Sequence, residues 1–118
     1  MNYKTFRDLR YWQEAHKLVQ AIYQVTQTYP NEEKFGLSAQ IRRSSASICA
    51  NMAEGFKKSR KDFARYLDIS QASLEETKYH LILSNDLGYL SSEQYQSLND
   101  LADDVGRMLY GLITKLKL

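Results

Sequence analysis

Gln40-Ile41-Arg42-Arg43-Ser44-Ser45-Ala46-Ser47-Ile48-Cys49-Ala50-Asn51-Met52-Ala53-Glu54-Gly55 reads as a helix with more than one packing surface. Wound at about 100° per residue, it gathers Leu37, Ile41, Ser44, Ser45, Ile48 and Met52 on one face, the spacing of a helix lying against a core. Nearly opposite lie Ala46, Ala50 and Ala53, with Cys49 at the edge, so the side expected to be charged is small and weakly apolar. Between the two faces runs a polar stripe of Gln40, Arg43, Ser47, Asn51 and Glu54, whose members are neighbours along a helix. A half-buried polar stripe has to find partners, since an unsatisfied buried donor or acceptor costs about 1 to 3 kcal/mol. The stripe therefore predicts a ladder of hydrogen bonds.

Outward from this stretch, turn signals divide the chain into four helical segments. The first runs from about Asp8 to Tyr29, with Leu9, Trp12, Ala15, His16, Val19, Ile22, Tyr23 and Thr26 as its stripe and Thr5 with Asp8 as a capping box. Leu18 and Val25 fall toward its other edge and point to contacts outside the monomer. Pro30 ends the segment, because the residue before a proline is driven out of the helical region. The central helix then spans Gly36 or Leu37 to Gly55. Ser59 caps the third, with the Asp62 carboxylate expected to answer it, and that helix continues to about Leu87 with Phe63, Tyr66, Leu67, Ser70, Ser73, Leu74, Thr77, Leu81 and Ser84 on or beside its inner face. Ser70 and Ser73 are placed to face Ser44, Ser45 and Ser47, which lets two helices approach closely. Gly88 closes the third helix. Ser91 and Gln94 form a capping box for the last, whose repeat is Tyr95, Leu98, Leu101, Ala102, Val105, Met108, Leu109, Leu112 and Leu116, with Lys115 and Lys117 at the negative end of its dipole.

The totals agree with an all-α chain. A length of 118 residues and 13.7 kDa suits one domain, residues 1–118, and one proline, five glycines and no alternating runs leave little room for a sheet. Four helices with short connections favour an antiparallel up-down-up-down four-helix bundle. A single cysteine, Cys49, excludes an internal disulfide and an all-cysteine metal cage. The start of the chain carries no apolar signal-peptide core, and no apolar run is long enough to span a bilayer. The expected setting is the cytoplasm, with no membrane partner.

The pattern Pro30, Glu33, Phe35-Gly36-Leu37, Gln40-Ile41-Arg42-Arg43-Ser44, Ser47-Ile48-Cys49-Ala50-Asn51 and Ala53-Glu54-Gly55, followed by Ala72-Ser73-Leu74-Glu75-Glu76, resembles the 23S rRNA intervening-sequence proteins of bacteria. The likeness runs from about Phe6 to the end; members usually carry Ala where this chain has Ser44 and Ser70. The resemblance implies a left-handed four-helix bundle, often assembled as a ring-shaped homopentamer, in which Gln40, Ser47, Asn51, Glu54, Gly55, Ser73 and Glu76 are motif residues of structural weight. Related in fold are the accessory variability proteins of diversity-generating retroelements, which bind nucleic acid and a reverse transcriptase. The resemblance carries no settled activity.

The residues themselves offer little for catalysis. His16 and His80 belong to no metal-binding pattern, and His16, on an apolar stripe, reads as a hydrogen-bonded packing residue. The serines of the central helix lack a base at helical spacing, and no glycine-rich phosphate loop follows a strand. No catalytic residue, cofactor or metal is assigned. Charge is the better signal. Residues 34–65 carry a net +6 and residues 66–106 a net −7, which suggests a face for an anionic partner or two faces that attract each other between subunits. Arg42, Arg43, Lys57, Lys58, Arg60, Lys61 and Arg65 are the candidate contacts to RNA or DNA, and a ring would multiply them around one rim. The competing reading is a structural or adaptor protein whose faces serve self-assembly or a protein partner.

Overall fold

The computed structural model describes residues 3–118; Met1 and Asn2, included in the expected domain, lie outside the described residues. The chain forms α1 (Arg10–Thr26), α2 (Leu37–Gly55), α3 (Arg60–Asp86) and α4 (Ser92–Leu116), with short 3-10 turns at Phe6–Asp8 and Asn31–Glu33. No strand occurs among the described residues. Each helix packs on its neighbour in sequence and α1 closes against α4, so the expected all-α four-helix bundle is what forms. It measures 43 × 23 × 20 Å, a shape with two distinct ends.

Local chemistry accounts for the boundaries. Gly36 precedes α2, whose Leu37 amide donates to the Glu33 carboxylate at 3.1 Å. At the other end Gly55 is buried, and a Cβ there would sit 2.7 Å from Tyr66 Cβ; only a glycine lets the two helices meet so closely at their connection. Gly88 ends α3 with φ +77°, the left-handed region glycine enters at no steric cost. Ser91 and Gln94 cap α4 reciprocally, at 3.1 and 2.9 Å.

Two caps differ from expectation. Thr5 and Asp8 do form a capping box, but it serves the Phe6–Asp8 turn, and α1 begins after Leu9 without a side-chain cap. Ser59 accepts from the Asp62 amide at 3.2 Å, whereas the Asp62 carboxylate does not return to the Ser59 amide and pairs with Arg65 at 3.3 Å.

Aliphatic side chains fill the interior: Leu18, Ile22, Ile41, Ile48, Met52, Leu67, Leu74, Leu81, Val105 and Leu109 are all sealed from solvent. All six residues assigned to the inner face of α2 are buried. In α1 the seam lies to one side of the expected stripe. Leu18, expected to face outward, is wholly buried with Ala15, Ile22 and Thr26, while Tyr23 is exposed and Trp12 and His16 stack on one another at the edge, centroids 4.8 Å apart. His16 is thus held by stacking, and it makes no hydrogen bond through its ring among the described residues. In α4, Ile113 completes the buried repeat of Leu98, Ala102, Val105 and Leu109.

Candidate nucleic-acid interface

The predicted ladder forms along the α2–α3 seam, in two runs. Arg43 donates to Gln40 Oε1 at 2.9 Å and to Glu76 Oε2 at 2.8 Å, and the same carboxylate oxygen meets His80 Nε2 at 3.0 Å. One turn on, the Ser47 and Ser73 hydroxyls are 2.9 Å apart and Asn51 Nδ2 donates to the Ser47 carbonyl and hydroxyl at 2.9 and 3.1 Å. Deeper in the seam Ser44 and Thr77 share a hydrogen bond of 2.8 Å and Ser70 donates to the Ile48 carbonyl at 2.8 Å. Ser47, Ser73 and Gly55 thus lie at the α2–α3 contact and Glu76 meets Arg43 across it, whereas Gln40 and Asn51 bond only within α2 among the described residues. Glu54 does not join: it is exposed and makes no hydrogen bond within the described chain.

The cationic candidates separate into two groups. Arg42 sits on the bundle flank, its Nε donating to Thr26 Oγ1 at 2.7 Å, its Nη2 to the Tyr23 carbonyl at 3.2 Å and its guanidinium 4.6 Å from the Tyr23 ring centroid. Arg43 is paired with Glu76. Both lie about 20 Å along α2 from Lys57, at a rise of about 1.5 Å per residue, so α2 holds them apart from the other five. Those five come together at the connection between α2 and α3. Arg60 is committed there to the last carbonyls of α4, Lys115 at 2.7 Å and Leu116 at 3.0 Å, satisfying acceptors that the helix leaves open. Arg65 pairs with Asp62. Lys57, Lys58 and Lys61 are exposed and have no ion pair among the described residues.

The Arg60 contact also reveals cations that a linear reading of charge overlooks. Antiparallel packing brings the N-termini of α1 and α3 to the same end as the C-termini of α2 and α4. Arg10 and Lys115 line one groove there, and Arg60, Lys61 and Lys117 another. Lys4, Arg7, Arg10, Lys115 and Lys117 thus join Lys57, Lys58, Arg60, Lys61 and Arg65, against Asp8, Glu54, Asp62 and Asp68. At the far end Glu32, Glu33, Asp86 and Glu93 outnumber Lys34. The molecule is polar along its length. The signal was present in the sequence as charge at alternate helix ends, and it emerges only once the topology is applied.

No group of histidine, cysteine and carboxylate side chains suited to a metal exists among the described residues. Cys49 lies within the bundle, and burial pushes its thiol up to about 12, far from a nucleophile. No helix among the described residues is long and apolar enough to cross a membrane.

The sequence profile described as 23S rRNA-intervening sequence protein matches residues 7–111. The chain belongs to the 23S rRNA-intervening sequence protein family. This intervening-sequence bundle is similar to a protein of unknown function from the S23 ribosomal protein family of Bacteroides thetaiotaomicron, whose crystal structure superposes with a TM-score of 0.81 at 32% identity, covering 88% of this chain and 95% of that one. No match is found among curated proteins. The structural neighbour shares the bundle, and it is described as a protein of unknown function.

Proposed function

We propose that this intervening-sequence protein is a non-enzymatic, self-assembling bundle of the cytoplasm that binds nucleic acid, RNA foremost, through the phosphate backbone at its cationic end. The observation that carries this reading is the set Lys57, Lys58 and Lys61, exposed, without ion pairs among the described residues, and set at the end where cations outnumber carboxylates. Unpaired lysines displace condensed counterions when they meet phosphates, and that release drives binding without regard to sequence. RNA is favoured because the family takes its name from a ribosomal RNA insertion. The homopentamer implied by family resemblance would repeat the cationic end around one rim and multiply the number of phosphates engaged.

The test is fluorescence anisotropy with a structured duplex RNA across a salt series, alongside light scattering of the free protein. The triple variant Lys57→Glu, Lys58→Glu, Lys61→Glu should bind more weakly to every duplex and flatten the plot of log affinity against log salt by about 2 to 3 in slope. Arg43→Gln, on the flank and already neutralised by Glu76, should leave that slope unchanged. An unaltered slope in the triple variant defeats the assignment.

The second reading, an adaptor for a protein such as a reverse transcriptase, draws on the outward-facing Tyr79, Ile82 and Leu87 of the α3 half of the bundle. It predicts a stable oligomer with no affinity for RNA or DNA at low salt.

A further inference from the structure

The groove between the end of α1 and the start of α2 lies on the flank, toward the end opposite the lysines. It encloses about 630 Å³, a size common among small-ligand sites. Three aromatic rings and three cations line it, those of Tyr23, Tyr29, Phe35, Lys34, Arg42 and Arg43, and no carboxylate does so among the described residues. Phe35 is 88% exposed, with Lys34 Nζ 5.5 Å from its ring centroid. A phenylalanine held in water at the mouth of a cationic groove contributes nothing to the core.

The charges in the groove are not equivalent. Arg43 is neutralised by Glu76. The Glu33 carboxylate is turned away, one oxygen accepting from the Leu37 amide at 3.1 Å and the other from the Tyr89 hydroxyl at 2.8 Å, and Glu32, on the same turn, does not line the groove. Arg42 and Lys34 are therefore the cations of the groove that have no ion pair among the described residues. Arg42 is also fixed in place: two hydrogen bonds and the face of Tyr23 hold its guanidinium, and its remaining N–H groups have no acceptor within the described chain. An immobilised guanidinium with spare donors beside an open aromatic face matches a ligand that is anionic at one end and flat at the other. A nucleotide has that form. A purely apolar partner would bury the guanidinium without an acceptor, at a cost.

We propose that this groove binds one unpaired nucleotide of a single-stranded nucleic acid, the base stacked on Phe35 and the phosphate held by Arg42 and Lys34. Duplex RNA, whose bases are already stacked on one another, gains nothing from Phe35. The inference rests on the nucleic-acid reading for its class of ligand, but it uses different residues and a different state of the strand.

The experiment uses the full chain and a short single-stranded RNA containing a fluorescent purine analogue, with the same strand annealed to its complement for comparison. Wild type should quench the analogue in the single strand only. Phe35→Ala, which removes an exposed side chain and leaves the core intact, should abolish the quenching and weaken single-strand binding roughly tenfold, with duplex affinity unchanged. Lys34→Gln should weaken single-strand binding and flatten its salt dependence while keeping the quenching. The proposal is overturned if wild type does not quench, or if Phe35→Ala keeps both quenching and affinity. It is equally overturned if Phe35→Ala changes the oligomer seen by light scattering and leaves affinity per subunit intact, which would make Phe35 a contact between copies. If the triple lysine variant binds duplex as wild type does while Phe35→Ala still loses quenching, the cationic-end assignment fails and the groove stands.

Discussion

Ser47 and Ser73 place their hydroxyl oxygens 2.9 Å apart across the seam between α2 and α3. Such a distance between two side chains of this size requires closely approaching backbones, and small residues on both helices allow it. Replacing Ser73 with Leu should therefore force the helices apart, destabilising the bundle by about 1 to 3 kcal/mol, and should leave the Ser47 hydroxyl with Asn51 Nδ2 as its one remaining partner among the described residues. Urea denaturation followed by circular dichroism measures this. A variant as stable as wild type would remove the close approach from the account.

Gly55 tests the same seam at its closed end. The Cβ of an alanine would stand 2.7 Å from Tyr66 Cβ and 2.9 Å from Phe63 Cδ1, and the first of these belongs to an atom fixed to the α3 backbone. Alanine ordinarily favours a helix over glycine by about 1 kcal/mol, so an exposed site would gain stability. Here the clash should win, and Gly55→Ala should lower the melting temperature. A rise would mean that the connection yields to the methyl group.

Alkaline pH should weaken the fold in a predictable window. Burial pushes the Cys49 thiol from its ordinary 9.0 up to about 12, and burial, with the neighbouring Tyr3, pushes the Tyr11 phenol from 10.0 to about 12. Tyr29 is raised mainly by burial, Tyr89 mainly by its hydrogen bond to Glu33, and Lys78 mainly by its hydrogen bond to Asp103. All five shifts have one sign. Below the unfolded values folded and unfolded chains hold the same protons; above them the unfolded chain releases protons that the folded chain retains, and stability falls. For Cys49 the loss begins near pH 9 and ends near 12, at roughly 1 kcal/mol for each pH unit within it. Urea melts at rising pH should record this decline, and Cys49→Ala should make it shallower. A stability constant from neutral pH to beyond pH 10 contradicts the assignment.

The central helix was readable because its signals were redundant: periodicity, Gly36 before it and Gly55 at its end all fixed the same span. The ladder followed from a simple demand, that half-buried polar groups find partners, although the sequence did not tell that Glu76 would serve both Arg43 and His80. The first helix was harder. Trp12, His16 and Tyr23 pulled its expected stripe toward themselves, yet large amphipathic rings are stable at an edge: two of them stack on each other and the third supports Arg42. Leu18, with no such alternative, took the core. The candidate interface was half visible. The lysines beside Gly55 stood out as a run, while Lys4, Arg7 and Arg10 acquired meaning only when antiparallel packing brought the start of α1 and the end of α4 to the same end of the bundle. That Arg60 would turn inward to the carbonyls of α4 is a matter of three-dimensional reach that spacing does not encode.

The hydroxyl contacts between α2 and α3 act as a ruler. Ser44 with Thr77, Ser47 with Ser73, and Ser70 with the Ile48 carbonyl pair at fixed heights along the helices, and sliding one helix by a turn would break all three at once. Aliphatic layers such as those of α4 tolerate a small displacement, because methyl groups have no preferred partner, whereas hydroxyls do. The hairpin of α2 and α3 is consequently locked in a single register. Lys57 and Lys58, just beyond one helix, and Lys61, in the first turn of the other, are therefore rooted in one hairpin, and it is their attachment points that stay together while the three flexible side chains adapt to a partner.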